Sequence, residues 1–494
     1  MEITGRPQSL VFPGFKFGKD DPLRALELAK LGVGGFCLYK GTPASIRRLT
    51  SFLSSRASKS LVFCADYEEG IYSQCQQGTP LPSNMGLGAS GSARQAFLKG
   101  LITAREARAL GVGWVLAPVL DLATDPRSPI VNVRSFSDDP ATAARLGRAY
   151  LAGLRKGGAL SCLKHFPGHG QTALDSHLAL PRISSGAALI KKRELSPFRR
   201  LARAADAVMA AHVLAPGLSA AGGKPVSLSA ALNRVLRGAM GFRGVITTDA
   251  LTMGAVSRRY PREWTAARLA LAGGADILLV PRDPMGLVRR IESEAGGPFA
   301  RTIAASVARI SRMRRRLESL PAPREDAAAV VGCLSHLRQA DAMARHCLAW
   351  GPRGAAPRLP SRVFYWEPET EEGKRPLPGR EFLKALRSSG VAASPWRGQP
   401  EGTLLIASFL KPRAGSGVIS HKPQVSQNIM RALRRPGRSI MVSLGSPFVL
   451  ARYSCPGLCA FSDNPLAQRA AALALSGRIR VRGRMPVRLG SPPE

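Results

Sequence analysis

Short apolar runs alternate with longer stretches in which apolar residues recur every three or four positions, from the start of the chain to about residue 316. A short apolar run bounded by turn-forming residues fits a buried strand, and the longer recurrence fits an amphipathic helix. The alternation therefore predicts an α/β fold with a parallel sheet. Strands are expected at Leu10 to Phe15, Gly34 to Leu38, Leu61 to Asp66, Trp114 to Val119, Ala159 to His165, Ala207 to His212, Val245 to Asp249 and Ile277 to Val280. Helices are expected at Pro22 to Leu31, Ser92 to Leu110, Pro140 to Lys156, Leu189 to Ala204 and Trp264 to Ala272. That strand count is the one a (β/α)8 barrel requires. Past Arg316 the pattern breaks into LESLPAPREDAAAVVG, a helix-like stretch from Leu337 to Leu348 and a Pro/Gly/Arg-rich segment from Gly351 to Arg362. Further strands are expected at Arg362 to Trp366, Thr403 to Ser408, Ser439 to Ser443 and Leu458 to Phe461. The expected division is a TIM-type barrel over residues 1–317, a linker over 318–334 and a smaller layered α/β sandwich domain over 335–494.

Polar residues stand at the ends of the predicted strands. Asp66, Asp121, Lys164 with His165, His212 and Asp249 each close or just follow an apolar run. A lone aspartate there is explained by capping the next helix, but strand ends in step match the active face of a barrel. The densest stretch is KHFPGHGQTALDSH, Lys164 to His177, which joins a strand end to a glycine-containing loop. Titratable groups brought together from a rigid strand end and a movable loop suit acid/base chemistry. A zinc site from His165, His169, His177 and Asp175 is the rival reading. Pro167, Gly168 and Gly170 interrupt any helix that could align two of the histidines, so no metal and no cofactor is expected.

Composition changes this picture little, and charge changes it more. Hydrophobic residues make up 45% of the 494-residue chain, enough for substantial cores. Its eight scattered cysteines contain no CxxC pair, which fits free thiols in a reducing compartment. No basic segment followed by a long apolar one opens the sequence, and no stretch is long enough to span a membrane, so a cytoplasmic location is expected. The 71 Lys and Arg against 33 Asp and Glu give a net charge of +38, a field that attracts anions. The arginines are spread along the chain without interleaved aromatics, and no nucleic-acid motif is present.

These residues resemble the family three glycoside hydrolases, specifically their bacterial β-N-acetylglucosaminidase branch. The resemblance is carried by KHFPGHG followed by Asp175-Ser176-His177 and Pro181, by Arg134-Ser135-Phe136 with Asp139-Pro140, by Ala211-His212-Val213, and by Thr248-Asp249-Ala250-Leu251-Thr252-Met253. Leu444 to Pro447, Tyr453 and Gly483 to Val487 resemble the second domain of two-domain members. The resemblance implies Asp249 as nucleophile and His177 with Asp175 as the acid/base dyad. It also implies Asp66, Arg134, Lys164, His165, His212 and Met253 around the sugar. The implied activity is a retaining exo-β-N-acetylglucosaminidase that acts on peptidoglycan-derived fragments in cell-wall recycling. A phosphorylase, a β-glucosidase and a sugar-binding protein without turnover are the alternatives. One segment departs from the family's Asp-x-Glu-Gly-Gly-Arg: the chain reads Asp66-Tyr67-Glu68-Glu69-Gly70-Ile71, which adds a carboxylate and removes a cation.

Overall fold

The computed structural model describes residues 6–218, 223–321, 326–370, 378–412, 415 and 419–490. Residues 322–325 of the expected linker, and residues 1–5 and 219–222 of the expected barrel domain, lie outside the described residues.

A repeated local signal starts the helices. At Asp21-Pro22, Thr42-Pro43, Asp139-Pro140, Asp283-Pro284 and Asn464-Pro465, the first residue accepts a hydrogen bond from a backbone N–H of the first turn. The proline occupies a position whose N–H would have no partner in the helix. Gly32 and Gly274 end two of the helices in the left-handed conformation, which glycine adopts without steric cost.

The strands between these helices pair in parallel around a ring. They are β1 (Val11–Phe12), β2 (Gly14–Lys16), β3 (Gly35–Tyr39), β4 (Val62–Ala65), β5 (Trp114–Val115), β6 (Cys162–Phe166), β7 (Ala207–Ala210), β8 (Val245–Thr248) and β9 (Leu278–Leu279). β1 and β2 are two halves of one strand broken at Pro13. β2 pairs with β3, β3 with β4 and β4 with β5. Bridges Trp114 to Leu160 and Val119 to Lys164 carry the series to β6, and β6, β7 and β8 follow in order. Thr247 bridges Ile277 beside β9, and β9 pairs with β1, which closes the barrel. Asp276 fixes this closure: its buried carboxylate accepts from Ile246 N (2.9 Å), Ser306 Oγ (2.9 Å) and Arg309 (2.7 Å), tying β8 to the helix Ala300–Ser319.

The C-terminal strands form one sheet in the order β10 (Ala349–Trp350), β15 (Gly457–Cys459), β14 (Ser439–Ser443), β13 (Leu404–Ser408), β11 (Arg362–Trp366), β12 (Ala392–Pro395). Its pairings are parallel except at β10, which runs antiparallel to β15. An apolar cluster joins Met85, Val131 and Val133 from beside the barrel to Ile406, Phe448 and Phe461 of this layer. The layer is thereby held over the C-terminal ends of the barrel strands.

Several expected elements differ in extent. Leu10 belongs to a 3-10 turn, Pro7–Leu10, and not to the first strand. The strand expected over Trp114 to Val119 stops at Val115, because Pro118 has no N–H to give to a ladder. The strand expected from Ala159 begins at Cys162 and runs on to Phe166, with a register shift between Leu163 and Phe166. The helix expected over Leu189 to Ala204 breaks into Ala187–Lys192, Leu195–Leu201 and a 3-10 turn. Pro197 lacks the N–H that would bond back to Arg193, and Glu194 turns inward there to accept from Gln171 (2.7 Å). The short edge strands β10 and β12 carry too little apolar pattern to be read from sequence.

Candidate active site

A cavity of about 420 Å³ lies at the C-terminal ends of the barrel strands. Asp66, Arg134, Lys164, His165, His177, Asp249 and Met253 line it, as do Glu68 and Glu69. Asp175 stands behind His177. His212 is turned away from the cavity: Nδ1 meets Ser227 Oγ (2.7 Å) and Nε2 meets the Ala250 carbonyl (3.1 Å), so it supports the segment after Asp249.

A chain of alternating charges crosses the floor. Lys164 Nζ, almost fully buried, lies 2.6 Å from Asp66 Oδ1 and 2.6 Å from Glu68 Oε1. Arg134 holds Glu68 through two bonds, Nε to Oε2 (2.8 Å) and NH2 to Oε1 (2.7 Å). Burial favours the uncharged form of each group, but the pairing wins: Arg134 and Lys164 keep the Glu68 carboxyl well below its usual range, and Asp66 and Glu68 keep the Lys164 ammonium charged. Arg134 also donates to His165 Nε2 (3.3 Å), so the proton of His165 sits on Nδ1 and points to Asp121 Oδ2 at 2.6 Å. Asp121 accepts His169 N as well (2.6 Å), which ties the two histidine positions of the loop to one carboxylate.

Asp249, one residue past β8, differs from the other acids. Burial pushes its carboxyl up, but His165, His212, the Ala250 N–H and His177 together hold it below its ordinary value. Its polar contact is Ala250 N at 2.8 Å. Among the described residues no Lys, Arg or His nitrogen lies within 4.0 Å of it, so the charge is retained and left uncommitted.

Facing this side is a dyad. Asp175 Oδ1 accepts both the backbone N–H (2.8 Å) and Nδ1–H (2.8 Å) of His177, and Oδ2 accepts Gly415 N (2.9 Å) from the C-terminal layer. Burial acts against the Asp175 carboxylate, but these bonds hold its pKa down. With Nδ1 committed, Nε2 is the free nitrogen of a half-exposed imidazole. The loop is anchored to the segment that follows Asp249 by Gly254 N to His177 O (3.1 Å) and Ala255 N to Ser176 O (3.2 Å).

Such a site can pair an ionised carboxylate with a proton-handling imidazole over a polar floor. Residues 16–313 match the N terminal domain of glycosyl hydrolase family 3. The chain belongs to glycosyl hydrolase family 3. A β-hexosaminidase of Neisseria meningitidis is 35% identical over 301 residues, covering 58% of this chain and 81% of its own. A β-N-acetylglucosaminidase/β-glucosidase of Cellulomonas fimi is 32% identical over 51% of this chain and 46% of its own. A family 3 β-N-acetylglucosaminidase from Paenibacillus sp. str. FPU-7 matches along both whole chains, with a TM-score of 0.84 and 27% identity. A β-glucoside phosphorylase bound to 2FGlc shares the fold at a TM-score of 0.89 and 23% identity, covering 99% of this chain and 94% of its own.

In this family 3 glycoside hydrolase, several cavity residues were not singled out from the sequence. In the sequence Glu68 stands out only as part of a departing loop, yet it is the acid shared by Lys164 and Arg134. Lys411 and Asp463, paired at 2.6 Å, reach the cavity from the C-terminal layer. Each follows a strand end by a few residues, the same signal that identified Asp66. The added carboxylate Glu69 also lines the cavity; burial raises its pKa, partly offset by Lys411 and Lys99. Ile71, at the position of the lost cation, is packed in the barrel core. His169, weighed as a metal ligand, gives its Nδ1 to Thr172 Oγ1 (2.5 Å), while its Nε2 is buried without a partner. Burial lowers its pKa to about 4, so the ring is neutral near pH 7.

Gly254 sets how closely the dyad loop approaches Asp249. A Cβ there would stand 2.5 Å from the His177 carbonyl oxygen. Gly254→Ala should displace the loop and lower kcat roughly tenfold to a hundredfold, since a shift of about 1 Å in a reacting group costs that much. Steady-state kinetics beside a thermal melt checks this; an unchanged kcat would mean that the anchor does not set the position of His177.

Proposed function

We propose that this protein is a retaining exo-β-N-acetylglucosaminidase in which Asp249 is the nucleophile and His177, backed by Asp175, moves the proton. The observation that carries the reading is the contrast among the cavity's acids. Asp66 and Glu68 are paired with Lys164, Glu68 also with Arg134, and Asp463 with Lys411. Burial pushes Glu69 toward its neutral form. Asp249 alone combines a lowered pKa with the lack of a cation within ion-pair distance among the described residues.

In the first step Asp249 attacks the anomeric carbon, the bond to the leaving oxygen breaks, and Nε2 of His177 gives its proton to that oxygen. In the second, water attacks the glycosyl-enzyme, Nε2 takes the water's proton, and the Asp249 carboxylate is released. Asp175, bonded to His177 at both its backbone N–H and Nδ1, fixes the ring for both steps. The names of the Neisseria and Paenibacillus relatives support an N-acetylglucosaminide as substrate. Peptidoglycan fragments with a terminal N-acetylglucosamine are the natural candidates we assign.

Hydrolysis is favoured over phosphorolysis by the charge arrangement. Each lysine and arginine lining the cavity among the described residues already faces a carboxylate, and an incoming phosphate would meet the carboxylates of Asp66, Glu68 and Asp463 that hold them. The test is release of p-nitrophenol from the β-N-acetylglucosaminide and the β-glucoside, with and without inorganic phosphate. The expected result is preference for the former and free sugar as product in both buffers. Accumulation of sugar 1-phosphate, or equal use of the glucoside, would contradict the proposal.

His177→Ala separates the two proton transfers. An aryl leaving group departs as an anion without help, so its first step should lose little, whereas a natural disaccharide should lose about 10²–10⁴-fold. Rapid-quench kinetics on the aryl substrate should show a burst followed by slow turnover. Equal losses on both substrates with no burst would assign the proton to another group.

A further inference from the structure

The barrel carries a second cavity at its other end. β7 and β8 end at the catalytic cavity with Met209 and Asp249; at their beginnings, Asp206 and Gly244 border a concavity of about 550 Å³. Six arginines line it, and Asp206 is the one acid among the lining residues. The arginines come from separate elements: Arg155 at the end of the helix Pro140–Lys156, Arg203 in the 3-10 turn before β7, and Arg243 in the loop before β8. Arg309, Arg312 and Arg316 lie along one face of the helix Ala300–Ser319.

Pairing accounts for two of the six. Arg316 is bound by Asp206, which also accepts from Ser161 N (2.9 Å) and Ser161 Oγ (2.8 Å). Arg309 is bound by the buried Asp276 at 2.7 Å. Among the described residues, Arg155, Arg203, Arg243 and Arg312 have no carboxylate within 4.0 Å, and Arg155 has one bond, to the Ala204 carbonyl (3.2 Å). Four guanidinium groups without counter-charges around a concave wall repel one another, and the concavity focuses their field. A planar guanidinium matches two oxygens of a phosphate group.

We propose that this cavity binds a small anion bearing two or more phosphate groups. The charge required is that of several unpaired arginines, more than a single phosphate supplies. The bounded volume accommodates a compact ligand, whereas a polymer would need a continuous track. Because the cavity opens at the opposite end of the barrel from Asp249, occupancy leaves the catalytic cavity unobstructed.

Calorimetric titration of the whole chain with pyrophosphate at fixed ionic strength tests this, with inorganic phosphate and a single-stranded oligonucleotide as parallel titrants. Saturation near one pyrophosphate per chain is expected, with phosphate at least tenfold weaker. Arg243→Ala with Arg312→Ala should weaken pyrophosphate at least tenfold and leave turnover of the aryl glycoside unchanged. Arg431→Ala with Arg434→Ala, the same loss of charge on the C-terminal layer, should leave pyrophosphate binding intact. Equal weakening in the two double variants, absence of saturation, or an oligonucleotide binding more tightly than pyrophosphate would each overturn the proposal. The last result would make the surface a general polyanion face.

Discussion

Lys164 is a charged group almost without solvent, and the catalytic end of the barrel is organised by the need to compensate it. A buried ammonium is tolerated only with close counter-charges, and here Asp66 and Glu68 both stand at 2.6 Å. That requirement joins the end of β4 to β6, and the second hold on Glu68 by Arg134 draws in the turn Asn132–Arg134. Once these acids are committed to cations, they are poor candidates for attack on carbon. Asp249 is left ionised and unpaired beside them, which is the division of labour that two-step glycoside hydrolysis needs.

The C-terminal layer belongs to this arrangement. Its Gly415 N–H occupies the second oxygen of Asp175, and its Lys411 and Asp463 complete the cavity wall. Asn132 donates to Ser446 (3.0 Å) and Ser137 to the Pro486 carbonyl (2.6 Å), so the turn that presents Arg134 is itself fastened to the layer. The apolar cluster between them makes that fastening rigid. An isolated barrel of this sequence would lose the donor that immobilises Asp175, and with it part of the restraint on His177.

Much of the cavity could be read from the sequence because barrel strands deliver their last residues to one face. Asp66 and Asp249 follow from that rule, Lys164 and His165 from the rule together with the composition of the stretch they open, and the DSH loop from that composition. His212 obeys the same rule yet turns inward, because Ser227 and the Ala250 carbonyl satisfy both ring nitrogens; no linear pattern encodes such partners. Glu68 was hidden for a similar reason, since its importance lies in two cations 66 and 96 positions away in sequence. Lys411 and Asp463 needed the packing of one layer on another. Element boundaries failed where proline removed a donor, at Pro118 and Pro197, signals that were present in the sequence.

The central claim is that the uncommitted carboxylate of Asp249 forms the covalent bond to sugar. Brief reaction with a 5-fluoro N-acetylglucosaminyl fluoride, followed by proteolysis and mass spectrometry, measures it directly. The account predicts one added sugar on the peptide containing Asp249, and none in Asp249→Asn under the same conditions. A sugar attached instead to Glu69 or Asp463, or an Asp249→Asn variant that still turns over near the wild-type rate, would contradict it.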